Sequence, residues 1–185
     1  MQILIYLAYF FFASEFVLML LKRSKKTTVT KRNDKGSLII IWISIPVTLT
    51  AGFYIEGYGI SGFTNDIVYF SGLLIFLFGL ILRWAAIFQL KKAFTVDVAI
   101  SKDQTVKSDG LYKIIRHPSY AGLLLMLTGL SIAMNNIISF LLISIINFIT
   151  VSYRIIVEER ILTEAFGDDY KKYKSATKKL IPGVY

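Results

Sequence analysis

The strongest constraint on this chain is a series of apolar runs too long and too frequent for the core of a small soluble domain. Residues 3–21, 37–54, 67–90, 120–134 and 137–157 are apolar with few charges. About 20 apolar residues in a helix cross the hydrocarbon of a bilayer. There every backbone amide must find its partner within the segment, so the runs fold as helices. The expected fold class is therefore an all-α membrane protein of about five transmembrane helices. Only Asn135-Asn136 separates the fourth run from the fifth, which predicts a C-terminal helical hairpin with a minimal turn. Pro46 interrupts the second run and is expected to kink it.

Composition agrees. Of 185 residues, 55% are hydrophobic, 15% aromatic and only 18% charged, outside the range of ordinary soluble domains. No cysteine is present, which excludes disulfides, thiolate chemistry and cysteine-ligated metals. The single histidine, His117, argues against a histidine-rich centre, so no metal is expected. The first run lacks a basic leader and a small-residue cleavage site, and reads as a retained helix rather than a signal peptide.

The net charge of +9 raises nucleic acid as a partner, but the placement of the charges points to a membrane surface instead. Seven basic residues lie between the first two runs, six between the third and fourth, and seven from Arg154 onward. The segments 55–66 and 135–136 carry none. That alternation places the N-terminus outside and the C-terminus in the cytoplasm; only Arg83 falls off the basic side. Short loops suit a prokaryotic plasma membrane. Beyond residue 157, apolar positions at helical spacing with a break at Gly167 predict cytoplasmic amphipathic tail helices. One membrane domain, 1–185, accounts for the chain, with the first two spans and loops in 1–66 and the rest in 67–185. The sequence leaves the oligomeric state open.

Three polar groupings stand out. Arg154 and Glu158 are four apart and share a helix face at the cytoplasmic end of the fifth run. They form either a surface ion pair of little worth or the wall of a polar pocket, since ionisable residues at membrane depth are rarely idle. Arg83 lies ~10 Å above the cytoplasmic end of the third run; it either snorkels to the interface or meets a carboxylate such as Glu158. The segment Arg116-His117-Pro118-Ser119-Tyr120 opens the fourth run. Proline suits a helix start. The entrance is either an interfacial cap or an anion site at a helix N-terminus. No Walker-type loop, glycine-rich strand-to-helix turn or H-E-x-x-H sequence is present.

Gly110-Leu-Tyr-Lys-Ile-Ile-Arg-His-Pro-Ser-Tyr-Ala-Gly122, followed by Tyr153-Arg-Ile-Ile-Val-Glu-Glu-Arg and its continuation to Tyr173, resembles the isoprenylcysteine carboxyl methyltransferase family. Leu82-Arg-Trp-Ala85, Phe94-Thr95 and the closing Leu180-Ile-Pro-Gly-Val184 fit the same resemblance. It implies a membrane methyltransferase using S-adenosylmethionine, without a metal, on a lipid or lipidated substrate that enters from the membrane. By position it implies that Val106, Tyr112, His117, Pro118, Ser119, Tyr120 and Glu158 hold the cofactor. It further implies that Arg154 engages the substrate carboxylate, so that Arg154 and Glu158 are the catalytic pair. Gln104 stands where the family often has histidine. Arg83 is a second candidate for substrate binding. Related folds methylate phospholipid amines or reduce sterols, and a non-enzymatic scaffold binding anionic lipid is a further reading.

Overall fold

The computed structural model describes residues 2–21, 36–60, 62, 64–90 and 105–185. Phe94, Thr95 and Gln104, and the basic residues of 22–35, lie outside the described residues. Among the described residues the α-helices are, in order, α1 (Gln2–Leu21), α2 (Ser37–Gly57), α3 (Asp66–Leu90), α4 (Pro118–Ala133), α5 (Ile137–Phe166) and α6 (Asp168–Ala176), with a 3₁₀ turn at Gly110–Lys113. Among the described residues only isolated β-bridges occur, between Gly62 and Asn136 and between Ile115 and Lys178.

Three helices, α2, α3 and α5, are long and apolar enough to cross a membrane; α1 and α4 are shorter apolar helices. The 30 residues of α5 extend ~45 Å at the helical rise, more than the ~30 Å hydrocarbon thickness. Its last turns therefore reach beyond the apolar layer. Gly167, with φ of 56°, ends α5 and starts α6.

The closest packing joins α3 to α4. Gly72 and Gly79 on α3 face Gly129 and Gly122 on α4, each pair seven residues apart. A Cβ at Gly79 would lie 2.6 Å from the Met126 amide nitrogen, and one at Gly122 would lie 2.6 Å from that of Arg83. The backbones touch, as membrane helices with small residues at the seam do, where packing rather than water exclusion drives association. This contact fixes the depth of Arg83 beside the start of α4.

α2 and α5 are joined differently, by polar side chains. Ser139 donates to the Gly52 carbonyl at 2.9 Å, and Asn147 donates to Thr48 Oγ1 at 2.8 Å. Arg154 donates to Ser37 Oγ at 2.8 Å. The core between the two helix pairs contains Ile41, Ile45, Leu49, Phe76, Met126, Leu127, Leu130, Ile143, Val151 and Ile155, with Leu4, Ala8 and Phe11 of α1 closing one side. Phe70, Leu74, Phe78 and Ile81 of α3, and Ile145 and Ile149 of α5, stay exposed, as lipid-facing residues do.

At the far end, Asn136 caps α5 by accepting from the Ser139 amide, and its own amide donates to the Ile60 carbonyl. Asn135 takes the left-handed conformation, φ 51°, that asparagine tolerates. The α4–α5 connection is thus a short turn of three residues, Met134 to Asn136, in keeping with the minimal turn expected from the spacing.

Candidate active site

The entrance to α4 is built by a sharp turn and a proline. Gly110 has φ of +58°, the left-handed conformation that favours glycine, and a Cβ there would also lie 2.5 Å from Gln89 Oε1 and displace that side chain. Gln89 accepts from the Leu111 amide at 2.9 Å. The turn buries Tyr112, whose hydroxyl donates to the Ala86 carbonyl at 3.3 Å. Pro118 then occupies the first position of α4 with His117 as its cap residue. The C-terminal strand of chain holds this entrance from behind: the Arg116 and His117 amides donate to the Lys178 and Lys179 carbonyls at 2.8 and 3.0 Å. Tyr173 of α6 donates to the Tyr112 carbonyl at 2.7 Å. Burial pushes the phenol pKa values of Tyr170 and Tyr173 up, which keeps Tyr173 a donor.

Two separate polar networks meet at this entrance, one for each of two adjacent glutamates. Glu158, half-buried, accepts from the Tyr120 hydroxyl at 2.9 Å. The same hydroxyl accepts from Arg154 Nε at 3.1 Å. Arg154 is 1% exposed, so α4, α5 and the start of α2 converge on one guanidinium. The pair predicted from spacing is therefore not a surface ion pair: the tyrosine stands between its members.

Glu159 points the other way. It accepts from Arg116 Nε at 2.8 Å, lies 3.2 Å from Lys174 Nζ and 3.4 Å from His117 Nε2, and is 6% exposed at its side chain. Arg116 also donates to the Lys174 and Thr177 carbonyls. His117, 5% exposed, has its ring centroid 5.8 Å from that of Tyr120. The imidazole therefore bridges the two networks, facing one glutamate while lying beside the tyrosine that binds the other. Spacing alone missed Glu159 as the anchor of the entrance. No sequence signal marks it, because Arg116 and Lys174 become its neighbours only in the fold.

Arg83 is buried, 6% exposed, and faces the bundle. The carboxylate it meets is Glu15 of α1: Nε and Nη2 each donate to one carboxylate oxygen at 2.6 Å. Nη1 donates to the Ser119 carbonyl at 3.0 Å and its hydroxyl at 3.2 Å. Val106 lines a cavity of about 630 Å³ together with Lys113, Phe166, Thr177 and the entrance residue Tyr173. No cluster of metal-ligating side chains occurs among the described residues.

A helical bundle with membrane-length helices and, at one end, a half-buried phenol and carboxylate grouped with a buried guanidinium defines the class: a membrane protein with a polar site set into its helix termini. Residues 72–164 match the sequence profile of the isoprenylcysteine carboxyl methyltransferase family. The chain belongs to that family. A protein-S-isoprenylcysteine O-methyltransferase of Schizosaccharomyces pombe is 36% identical over 106 residues, 56% of this chain and 45% of the relative. One from Dictyostelium discoideum is 30% identical over 135 residues, 72% of this chain and 57% of that one. The solved eukaryotic intramembrane Ras methyltransferase isoprenylcysteine carboxyl methyltransferase superposes with a TM-score of 0.63 at 24% identity. That match covers 77% of this chain and 52% of the solved one, a likeness of fold. The chain spans about half the length of the curated relatives it matches.

Proposed function

We propose that this protein transfers a methyl group from S-adenosylmethionine to the carboxylate of a lipidated acceptor, most simply an isoprenylcysteine. The Tyr120–Glu158–Arg154 cluster carries the reading. Its chemistry fits the two ligands: a carboxylate for the ammonium or hydroxyls of the nucleoside, and a guanidinium for an anionic acceptor. When bound, S-adenosylmethionine supplies a sulfonium-activated methyl group. Arg154 draws and orients the acceptor carboxylate, because a guanidinium matches a carboxylate in charge and shape. The acceptor is already ionised at neutral pH, so the residues need not remove a proton from it. Their work is to align the reactants and exclude water.

Glu158, with Tyr112, His117, Pro118, Ser119 and Tyr120 forming the entrance, holds the nucleoside ligand, and Val106 borders its apolar part. Lipid-facing surfaces on α3 and α5 support lateral entry of a prenyl chain, with the chain crossing the bilayer five times, its N-terminus outside and its C-terminus cytoplasmic. Calorimetric titration of the purified protein in detergent with S-adenosylmethionine tests the reading. Saturable binding that weakens in Glu158→Gln supports it. A folded wild-type protein that shows no saturable binding contradicts it.

A further inference from the structure

Glu15 is the one acidic residue within α1, and it has a defined place there. Leu4, Ala8, Phe11 and Leu18 are the helix's buried apolar residues. Their spacing of four, three and seven makes one stripe, and Glu15 falls in that stripe, four after Phe11 and three before Leu18. A position that packing would fill with an apolar side chain holds a carboxylate instead, 14% exposed at the side chain and aimed at a guanidinium 8% exposed. Burying such a pair gains little stability over apolar residues of the same volume, so simple adhesion between α1 and α3 does not account for it.

The rest of the geometry does. Glu15 takes the Nε–Nη2 edge of Arg83, both bonds at 2.6 Å. That pair of hydrogen bonds fixes the guanidinium plane, as forked arginine–carboxylate pairs do, and leaves Nη1 on Ser119. Ser119 is in the first turn of α4, next to Tyr120, whose hydroxyl must reach Glu158 and Arg154 together. The hydrogen bond to the Ser119 carbonyl also ties down the backbone from which Tyr120 projects. We propose that Glu15 is a positioning residue: through Arg83 and Ser119 it sets where the Tyr120 hydroxyl stands between the acidic and basic members of the site. Arg83 then serves the site by what it holds in place, and α1, which supplies no residue to the Tyr120 cluster, becomes part of the active unit.

For turnover, this inference rests on the methyltransferase reading, so its test also has an arm that needs no turnover. Tyr120 is labelled as 3-fluorotyrosine and its ¹⁹F resonance recorded in detergent for the wild type, Glu15→Gln, and the charge-exchanged double variant Glu15→Arg with Arg83→Glu. Methyl transfer to a prenylcysteine analogue and the thermal midpoint are measured on the same samples. In Glu15→Gln the resonance moves and kcat falls by about tenfold or more, as small misplacements in a site do, with the thermal midpoint little changed. The exchanged pair keeps the thermal midpoint but shows neither the wild-type resonance nor the wild-type rate, because a glutamate at 83 cannot donate to the Ser119 carbonyl. An unmoved resonance in Glu15→Gln, wild-type turnover in the exchanged variant, or failure of both variants to fold overturns the positioning role. A wild type that transfers no methyl group overturns the functional reading instead, and the resonance alone then decides the role of Glu15.

Discussion

The Tyr120 hydroxyl is shared by a carboxylate and a guanidinium, which makes this phenol the smallest unit on which the site depends. Removing it in Tyr120→Phe leaves Arg154 and Glu158 each without one buried partner. Hydrogen bonds to charged groups are worth about 1.5–3 kcal/mol, so S-adenosylmethionine affinity or turnover falls by roughly tenfold or more. Glu158→Gln weakens cofactor binding by a similar factor, read by calorimetry. Arg154→Ala lowers kcat by more than it lowers cofactor affinity, read by comparing turnover with titration; equal losses refute the division of labour. The spacing of Arg154 and Glu158 makes their shared face legible in the sequence. It hides the direction of Glu159, since adjacent helical residues point about 100° apart and neither carboxylate announces which way it looks. Glu15 was hidden for another reason. A lone acidic residue in an apolar run shows no partner until the helices pack.

At the scale of elements, the glycine seam between α3 and α4 sets the height of Arg83 against Ser119. Gly122→Ala puts a methyl group 2.6 Å from the Arg83 amide nitrogen, where only backbone movement relieves it. The expected cost is about 1–3 kcal/mol, as for other overpacked sites, measured as a lower thermal midpoint in detergent, together with lost turnover. The helices themselves were largely written in the apolar runs, and the Asn135-Asn136 turn and the Gly167 break fall where composition changes. The continuation of α5 to Phe166 is legible only as spacing, because the hydrophobic signal fades where Arg154, Glu158 and Glu159 begin. The clamp of residues 178 and 179 on the α4 entrance has no sequence signal, since it is made by backbone amides and carbonyls that every residue carries.

For the whole molecule, the proposed membrane orientation puts the polar site at the cytoplasmic end. With no cysteine in the chain, single cysteines report sidedness cleanly. Tyr58→Cys and Lys172→Cys are both at exposed positions. In intact cells, an impermeant maleimide is expected to label the first and spare the second. The reverse pattern would invert the proposed topology. The reaction itself is tested most directly by methyl transfer. Purified protein is supplied with S-adenosylmethionine carrying a radiolabelled methyl group and a prenylcysteine analogue, and the lipid-extractable product is then treated with base. The expected result is labelled product whose radioactivity is released as methanol, as a methyl ester requires, and strongly reduced label in Glu158→Gln. Label that resists base, or no transfer by folded protein that binds the cofactor, would contradict it.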